Sequence, residues 1–363
     1  MESSTSITES NELQPVDDNQ QHCIYEFYEV TEKWLLGLVA LPLIFIGLSA
    51  NAMSIRIFSH RYMRRQPINW YLLILAISDT VILVSAFVVL SLPRFGEIIK
   101  FWEATYFSYN ATPIMYALMT TAQTVSVWMT AAMSLHRFIG VCLPYKATTI
   151  LNTSNVKRLI AGVLIASLLF NTTKFFEVYI SDVCYMDNIK VLLPVLSETD
   201  LRRNKLYRKV FYEWAYTLIM FAIPFTILIV VNSMVIIAIH RSRKVHAKLN
   251  VCNDGIRRQE LAKEISTSIM LVAIVLAFLL CNTLAFAVNI MEKLELRSLI
   301  ETFVPWSNML VMTNASINIC IYCMFSDRYK QLLCYYLQFL SCRRREDNFQ
   351  VIMGNFTTGT ECP

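Results

Sequence analysis

Two charged side chains stand in apolar surroundings, where a charge is costly. Asp79 is the single ionisable residue between Tyr71 and Leu92, and Arg137 closes the apolar run that precedes Pro144. A carboxylate inside such a run is a candidate to hold a proton or a hard cation, and an arginine at its edge needs a counter-charge or water. The ten Cys and five His show no metal-binding or redox spacing. The sequence therefore points to ion binding and ion pairing rather than to metal, redox or hydrolytic chemistry.

The composition is that of a chain embedded in a membrane. Of the 363 residues, 55% are hydrophobic and 16% are charged, with a mean hydropathy of +0.46. A soluble domain has about a quarter of its residues charged. The net charge of +5 is modest, so no nucleic-acid partner is expected. The first 33 residues are polar without the pattern of a cleaved signal, so we expect the first apolar stretch to drive insertion.

Seven apolar stretches reach or approach the length of about 20 residues that a helix needs to cross a bilayer. They are Trp34 to Ile57, Asn69 to Leu92, Thr112 to Val141, Val156 to Thr173, Glu213 to Ile239, Ile265 to Met291 and Thr302 to Cys323. The sequence predicts an all-α membrane protein with a seven-transmembrane helix bundle at 34–326. A tail at 1–33 precedes it, and an amphipathic membrane-surface helix at 327–340 and a tail at 341–363 follow.

The distribution of charge predicts the orientation of the bundle. More than half of the 32 Lys and Arg residues lie on the side of Arg137, and most of the 27 acidic residues lie on the other side. By the positive-inside rule, the amino terminus is extracellular and the carboxyl terminus cytoplasmic. The acidic side has two interpretations, ordinary solvated loops or a vestibule that attracts a cationic ligand. Arg202, Arg203 and their basic neighbours weaken the second interpretation.

Short motifs recur in the expected order along these stretches. They are Asn51, Leu75 to Asp79, His136-Arg137-Phe138 with Pro144, Pro224, Phe278 with Cys281, and Asn318 to Tyr322. Taken together they resemble a rhodopsin-type (class A) G-protein-coupled receptor. Further segments resemble the invertebrate FMRFamide-like neuropeptide receptors. These are Gln123 to Trp128, Phe170-Asn171, Phe175 to Glu177, Phe278 to Thr283 and Ser316 to Asn318.

The resemblance implies a plasma-membrane receptor for an extracellular neuropeptide of the FMRFamide-like (RF-amide) type. Such a receptor is not an enzyme and needs no cofactor beyond a possible sodium ion. It activates a heterotrimeric G protein through outward movement of the sixth span, with arrestin, a receptor kinase and membrane lipid as further partners. The alternatives are a receptor of the same fold for a small odorant or lipid and, less favoured, a transporter, for which no repeated halves are visible.

The resemblance also implies a polar cluster and a switch. Asp79, Ser126, Asn314 and Asn318 are the candidates to hold sodium or water, and a protonated Asp79 hydrogen-bonded within the bundle is the alternative. His136 replaces the acid that usually precedes Arg137. We therefore expect Glu264 to pair with Arg137 in the inactive state, with Tyr322 and Asn318 taking part in the switch. Alternatively, Glu264 pairs with its basic neighbours.

A ligand pocket is expected between the third, fifth, sixth and seventh spans. Its candidate residues are Tyr116, Met119, Gln123, Glu177, Glu213, Tyr216, Asn282, Phe286, Asn289 and Asn308. Met119 replaces the aspartate that anchors amines, so an amine ligand is not expected. Glu177 and Glu213 are candidates to pair with an arginine of an amidated peptide. Plain packing of the aromatic residues and Met, and a headgroup contact for Glu213, are the alternatives.

Covalent sites are expected on both sides of the membrane. No Cys lies between Pro93 and Gln123, where this family usually has one, so Cys184 is either free or paired with Cys23. On the cytoplasmic side, Cys334 and Cys342 lie near basic residues and are candidates for palmitoylation, with free thiols as the alternative. On the extracellular side, Asn110 opens a glycosylation sequon close to the membrane.

Overall fold

The computed structural model describes residues 22–248 and 255–340, and it describes side chains except at 242–264 and 338–340. Seven of its helices are long and apolar enough to cross a membrane. They are α1 (Val30–Phe58), α2 (Ile68–Ile99), α3 (Trp102–Cys142), α4 (Thr153–Phe176), α5 (Lys205–Arg241), α6 (Ile265–Lys293) and α7 (Arg297–Phe325). Helix α8 (Asp327–Leu340) follows. The predicted all-α seven-span bundle is confirmed.

The helices are longer than the apolar stretches that predicted them, most clearly at the start of α3. This helix begins at Trp102, ten residues before the predicted Thr112, because its first turns are polar but still helical. Only a tight turn separates it from α2, and Lys100 adopts a left-handed conformation there with a φ of 58°. A Cβ on Gly96 would lie 2.8 Å from the Thr105 Oγ1 atom. Glycine therefore permits the close approach of α2 and α3.

A small sheet covers one end of the bundle. Strands β2 (Val178–Met186) and β3 (Val191–Glu198) form an antiparallel hairpin, and the short β1 (His22–Cys23) pairs parallel to β2. The sequence had indicated no strand in the segment between the fourth and fifth spans. The hairpin packs against α3, so it lies over the helices rather than extending away from them.

The amino-terminal segment is fastened to this sheet and to α2. Cys23 and Cys184 form a disulfide with an S–S distance of 2.13 Å, so the expected pairing is present. The hydroxyl of Tyr25 donates to the Glu97 carboxylate at 3.1 Å, and Lys33 Nζ lies 3.0 Å from the same carboxylate. Burial raises the pKa of Tyr25 above its usual range, so its hydroxyl remains a donor. We refer to this end of the bundle as the disulfide end.

The opposite end, here called the Arg137 end, has an aromatic core. The buried rings of Phe58 and Tyr322 meet edge to face with centroids 5.2 Å apart. Tyr329 of α8 packs against both rings, and its hydroxyl lies 2.8 Å from Ser54 Oγ of α1. Helix α8 is therefore anchored to the first and seventh spans.

Candidate functional site: two cavities and a polar core

A buried carboxylate joins three helices in the middle of the bundle. Asp79 has no exposed surface. Ser126 Oγ of α3 donates to its Oδ1 atom at 3.1 Å, and Asn318 Nδ2 of α7 donates to its Oδ2 atom at 2.7 Å. The structure thus brings together three of the four residues predicted to hold sodium or water. Asn314 lies one helical turn before Asn318 and lines the adjoining cavity.

The chemistry of this cluster fits a hard cation. The carboxylate of Asp79 and the hydroxyl of Ser126 supply oxygen atoms, which sodium prefers to nitrogen or sulfur, whereas Asn318 turns its amide nitrogen toward the carboxylate. Within the described residues, no Lys, Arg or His lies within 4.0 Å of the Asp79 carboxylate. Among the described residues, the Asp79 carboxyl group is therefore in contact with neutral donors only.

A cavity of about 280 Å³ opens between α3, α5, α6 and α7, toward the disulfide end. Seven of the ten predicted pocket residues line it, namely Tyr116, Met119, Gln123, Tyr216, Asn282, Asn289 and Asn308. With Asn314, five carboxamide side chains face this space. Each carboxamide both donates and accepts hydrogen bonds, so the lining suits the backbone and terminal groups of a peptide.

Three predicted pocket residues lie outside this lining. Phe286 packs against Phe221 and Phe225, with ring centroids 5.3 Å and 5.9 Å away, and forms part of the wall behind the cavity. Glu213 is exposed on α5 and does not face the cavity. Glu177 has no exposed surface. The interpretation of Phe286 as packing, which the sequence left open, describes its position better.

Glu177 is the centre of a buried ion cluster that the sequence did not predict as such. Its carboxylate lies 3.4 Å from Lys174 Nζ and 3.8 Å from Arg202 Nη1. The hydroxyl of Tyr207 donates to it at 2.6 Å, and that of Tyr212 donates to its other oxygen. Both oxygens are thus engaged by the protein itself.

Lys174 also connects this cluster to the cavity wall. Its Nζ atom lies 3.6 Å from the ring centroid of Tyr212, 5.7 Å from that of Tyr216 and 6.0 Å from that of Tyr116. A cation at such distances from aromatic faces is attracted to them. Lys174 therefore lies near Tyr116 and Tyr216, two tyrosines that face the cavity.

Sequence reasoning missed one charged residue of the cavity. Glu292 lines it and is exposed. Asn289 follows Asn282 by seven residues along α6, and Glu292 follows Asn289 by three, so all three lie toward one face of the helix. That periodicity was the available signal, because both asparagines were already candidates.

A second cavity, of about 860 Å³, opens at the Arg137 end. Arg137, Tyr322, His136 and Met270 are among the residues that line it. The His136 ring meets that of Tyr71 edge to face at 5.5 Å, so it packs against α2. The space suits insertion of a partner segment beside Arg137, while Asn318 belongs to the Asp79 cluster instead.

Several predicted residues remain untested by the geometry. The backbone of Glu264 lies in the helix that continues into α6, but its side chain is outside the described residues, so its pairing with Arg137 stays a prediction. Cys334 is exposed on α8, and Cys342 lies outside the described residues. Asn110 is exposed, but within α3 rather than in a loop, and its amide donates to the carbonyl of Tyr106 at 2.9 Å.

Residues 50–322 of the chain match the protein family described as "7 transmembrane receptor (rhodopsin family)". The chain belongs to the rhodopsin family of seven-transmembrane receptors. Its members are receptors and not enzymes, as the sequence predicted. The matched region contains Asp79, Arg137 and the cavity-lining residues of α3, α5, α6 and α7 described above.

Individual relatives are similar along most of this chain. The FMRFamide receptor of Drosophila melanogaster is 27% identical over 306 residues, which cover 83% of this chain and 53% of that protein. The chain thus spans about half the length of the Drosophila relative. The probable G-protein coupled receptor frpr-1 of Caenorhabditis elegans is 30% identical, with 87% and 82% covered. The FMRFamide peptide receptor frpr-18 of the same organism is 25% identical, with 86% and 71% covered.

Proposed function

We propose that the protein is a plasma-membrane receptor for an extracellular neuropeptide of the FMRFamide type and that it activates a heterotrimeric G protein. Two of the relatives described above carry FMRFamide in their names, which supports the ligand class. One observation carries the proposal. A polar cavity lies toward the disulfide end, a cavity containing Arg137 lies at the other end, and the Asp79–Asn318 hydrogen bond lies between them.

The proposed signal passes along the helices that line both cavities. A peptide in the first cavity contacts α3, α6 and α7 through Gln123, Asn282 and Asn308. It shifts the population toward a conformation in which α6 has moved outward at the Arg137 end. The second cavity then widens, and Arg137 and Tyr322 meet the G protein. A pair between Arg137 and Glu264 restrains α6 in the absence of peptide.

The proposed orientation places the disulfide end outside the cell. Disulfides persist in oxidising compartments, and Cys23 and Cys184 are joined at this end. The positive-inside rule supports the same orientation, because Arg61, Arg64 and Arg65 lie between α1 and α2 at the Arg137 end. The amino terminus is then extracellular.

Further partners belong to the same proposal. A sodium ion bound at Asp79 stabilises the inactive arrangement of α2, α3 and α7. At the Arg137 end, the active receptor binds a receptor kinase and arrestin after it has activated the G protein. The exposed thiol of Cys334 on α8 is the proposed palmitoylation site that binds this helix to membrane lipid.

The test is a peptide screen with a coupling-deficient control. Cells expressing the full chain receive amidated peptides ending in Arg-Phe, and G-protein activation is measured. We expect a concentration-dependent response. The Arg137→Ala variant should bind the same peptide at the surface and give little or no activation, because Arg137 lines only the second cavity. If the wild-type receptor is present at the cell surface but no peptide activates the G protein, the odorant or lipid alternative is favoured.

A further inference from the structure

Three acidic residues at the disulfide end differ in what their carboxylates can reach. Glu177 has no exposed surface, and Glu213 is exposed but does not line the cavity. Glu292 is both exposed and part of the cavity lining. A ligand inside the cavity can therefore meet only the last of these three carboxylates without rearranging the protein.

The charges around Glu177 already balance. Lys174 lies 3.4 Å from Glu177, and Arg202 lies 3.8 Å from Glu177 and 2.8 Å from Glu198. The cluster thus contains two cations and two carboxylates. A third cation brought by a ligand would have to displace a side chain that is paired and, for Lys174, almost completely buried. The cluster offers no place for it.

Glu292 is not part of the ion cluster around Glu177. Among the described residues, no cation lies within 4.0 Å of its carboxylate. Lys174 and Arg202 act on it through space, but both are already paired with Glu177. Arg208 also acts on it through space. The adjacent Lys293 is directed to the ring of Trp214, with its Nζ atom 5.5 Å from the centroid. Glu292 is therefore the one charged side chain in a cavity lining whose other polar side chains are neutral, and no described cation contacts it directly.

The remaining lining completes a site for a cationic side chain. Tyr116 and Tyr216 place aromatic rings in the same cavity, and Asn289 lies one helical turn from Glu292. A guanidinium binds a carboxylate through two parallel hydrogen bonds and stacks on aromatic faces. The carboxamides of the lining can serve the neutral groups of the same ligand.

We propose that Glu292 is the residue that selects the ligand for a cationic side chain, by pairing with its guanidinium at the cavity. This inference rests on the proposed function, because it concerns the arginine of an Arg-Phe-amide peptide. It replaces the expectation that Glu177 and Glu213 bind that arginine. Glu177 instead pairs with Lys174 and Arg202 outside the cavity lining.

The experiment compares two peptides on three receptors. The peptides are Phe-Met-Arg-Phe-amide and the same peptide with citrulline in place of arginine, which keeps the shape and removes the charge. The receptors are wild type, Glu292→Gln and Glu213→Gln, each measured at equal surface level. Glu213→Gln is the matched control, since it removes a carboxylate from the same end without touching the cavity.

We expect the wild type and Glu213→Gln to prefer the arginine peptide by about tenfold or more in EC50, the effect of one charge-assisted hydrogen-bonded pair. In Glu292→Gln the arginine peptide should weaken until the two peptides are nearly equal. An unchanged preference in Glu292→Gln overturns the inference and leaves the proposed function intact. Loss of the preference in Glu213→Gln instead assigns the role to Glu213. If neither peptide activates the wild-type receptor, the inference and the proposed function are both overturned.

Discussion

Asp79 and Glu177 are two carboxylates without exposed surface in opposite electrostatic surroundings. Asp79 accepts hydrogen bonds from two neutral side chains, Ser126 and Asn318. Glu177 is held by Lys174 and Arg202 and by the hydroxyls of two tyrosines. The second carboxylate has its counter-charges built into the chain, whereas the first has none within the described residues.

This difference implies a structural role for the Glu177 carboxylate and a protonation or ion-binding state that can change for Asp79. A buried ion pair resists change, because removing either partner leaves the other charged in an apolar setting. A buried carboxylate surrounded by neutral donors can take up a proton or a cation without breaking an ion pair. Glu177 therefore maintains the shape of the disulfide end, and Asp79 is suited to respond to the state of the bundle.

The largest expected effect is on stability, from Glu177→Gln. The substitution leaves Lys174 with 2% exposed surface and no adjacent carboxylate. We expect a loss of about 3–5 kcal/mol in the free energy of unfolding, the usual result of breaking a buried pair. Thermal unfolding of the detergent-purified receptor and its level at the cell surface measure this loss.

Two further variants control this measurement. Glu198→Gln removes the half-exposed partner of Arg202 and should cost about 1 kcal/mol or less after solvent screening. Lys174→Met combined with Glu177→Gln should recover much of the lost stability, because no unpaired charge remains at that position. Equal stability of Glu177→Gln and Glu198→Gln would contradict the structural role of Glu177.

The next effect concerns sodium at Asp79. Replacing an organic cation by sodium at constant ionic strength should raise the Tm of the wild type. A ligand at a hundred times its Kd contributes about 2.7 kcal/mol. Asp79→Asn should abolish this response, whereas Glu213→Gln should retain it. A wild type that does not respond to sodium would support the alternative of a protonated, hydrogen-bonded Asp79.

The smallest effects compare single neutral donors to the two carboxylates. Tyr212→Phe removes one hydroxyl from Glu177 but keeps the aromatic ring beside Lys174. Ser126→Ala removes one of the two donors of Asp79. We expect about 1 kcal/mol for the first and about 2 kcal/mol for the second, because fewer partners remain. Denaturation of the two variants in parallel measures both losses in the free energy of unfolding. A larger loss for Tyr212→Phe than for Ser126→Ala would contradict the difference between the two sites.

The bundle was predictable because its signals are local and strong. Seven apolar stretches in order, with Asp79 and Arg137 at defined places, sufficed for the fold and the family. The ends of helices were less predictable. The first turns of α3 are polar, and there α3 approaches α2 closely at Gly96 and Thr105.

The pocket was predictable only in part, because it depends on which way charged side chains turn. Gln123, Asn282 and Asn308, which were predicted as pocket residues between the third, sixth and seventh spans, line the cavity. Glu177 was predicted to meet the ligand, although Lys174, three positions before it, is its nearer partner. Its other partner, Arg202, is 25 positions away beyond a hairpin that the sequence did not indicate, and such a long-range pair has no local pattern.

The Cys23–Cys184 disulfide has a consequence for the order of events during synthesis. Its two sulfurs are 161 positions apart, with four membrane helices between them. At a typical elongation rate, the ribosome needs on the order of ten seconds to traverse that interval. The disulfide can therefore form only after α1 to α4 have been synthesised, so the amino-terminal segment becomes fastened to the sheet late in synthesis.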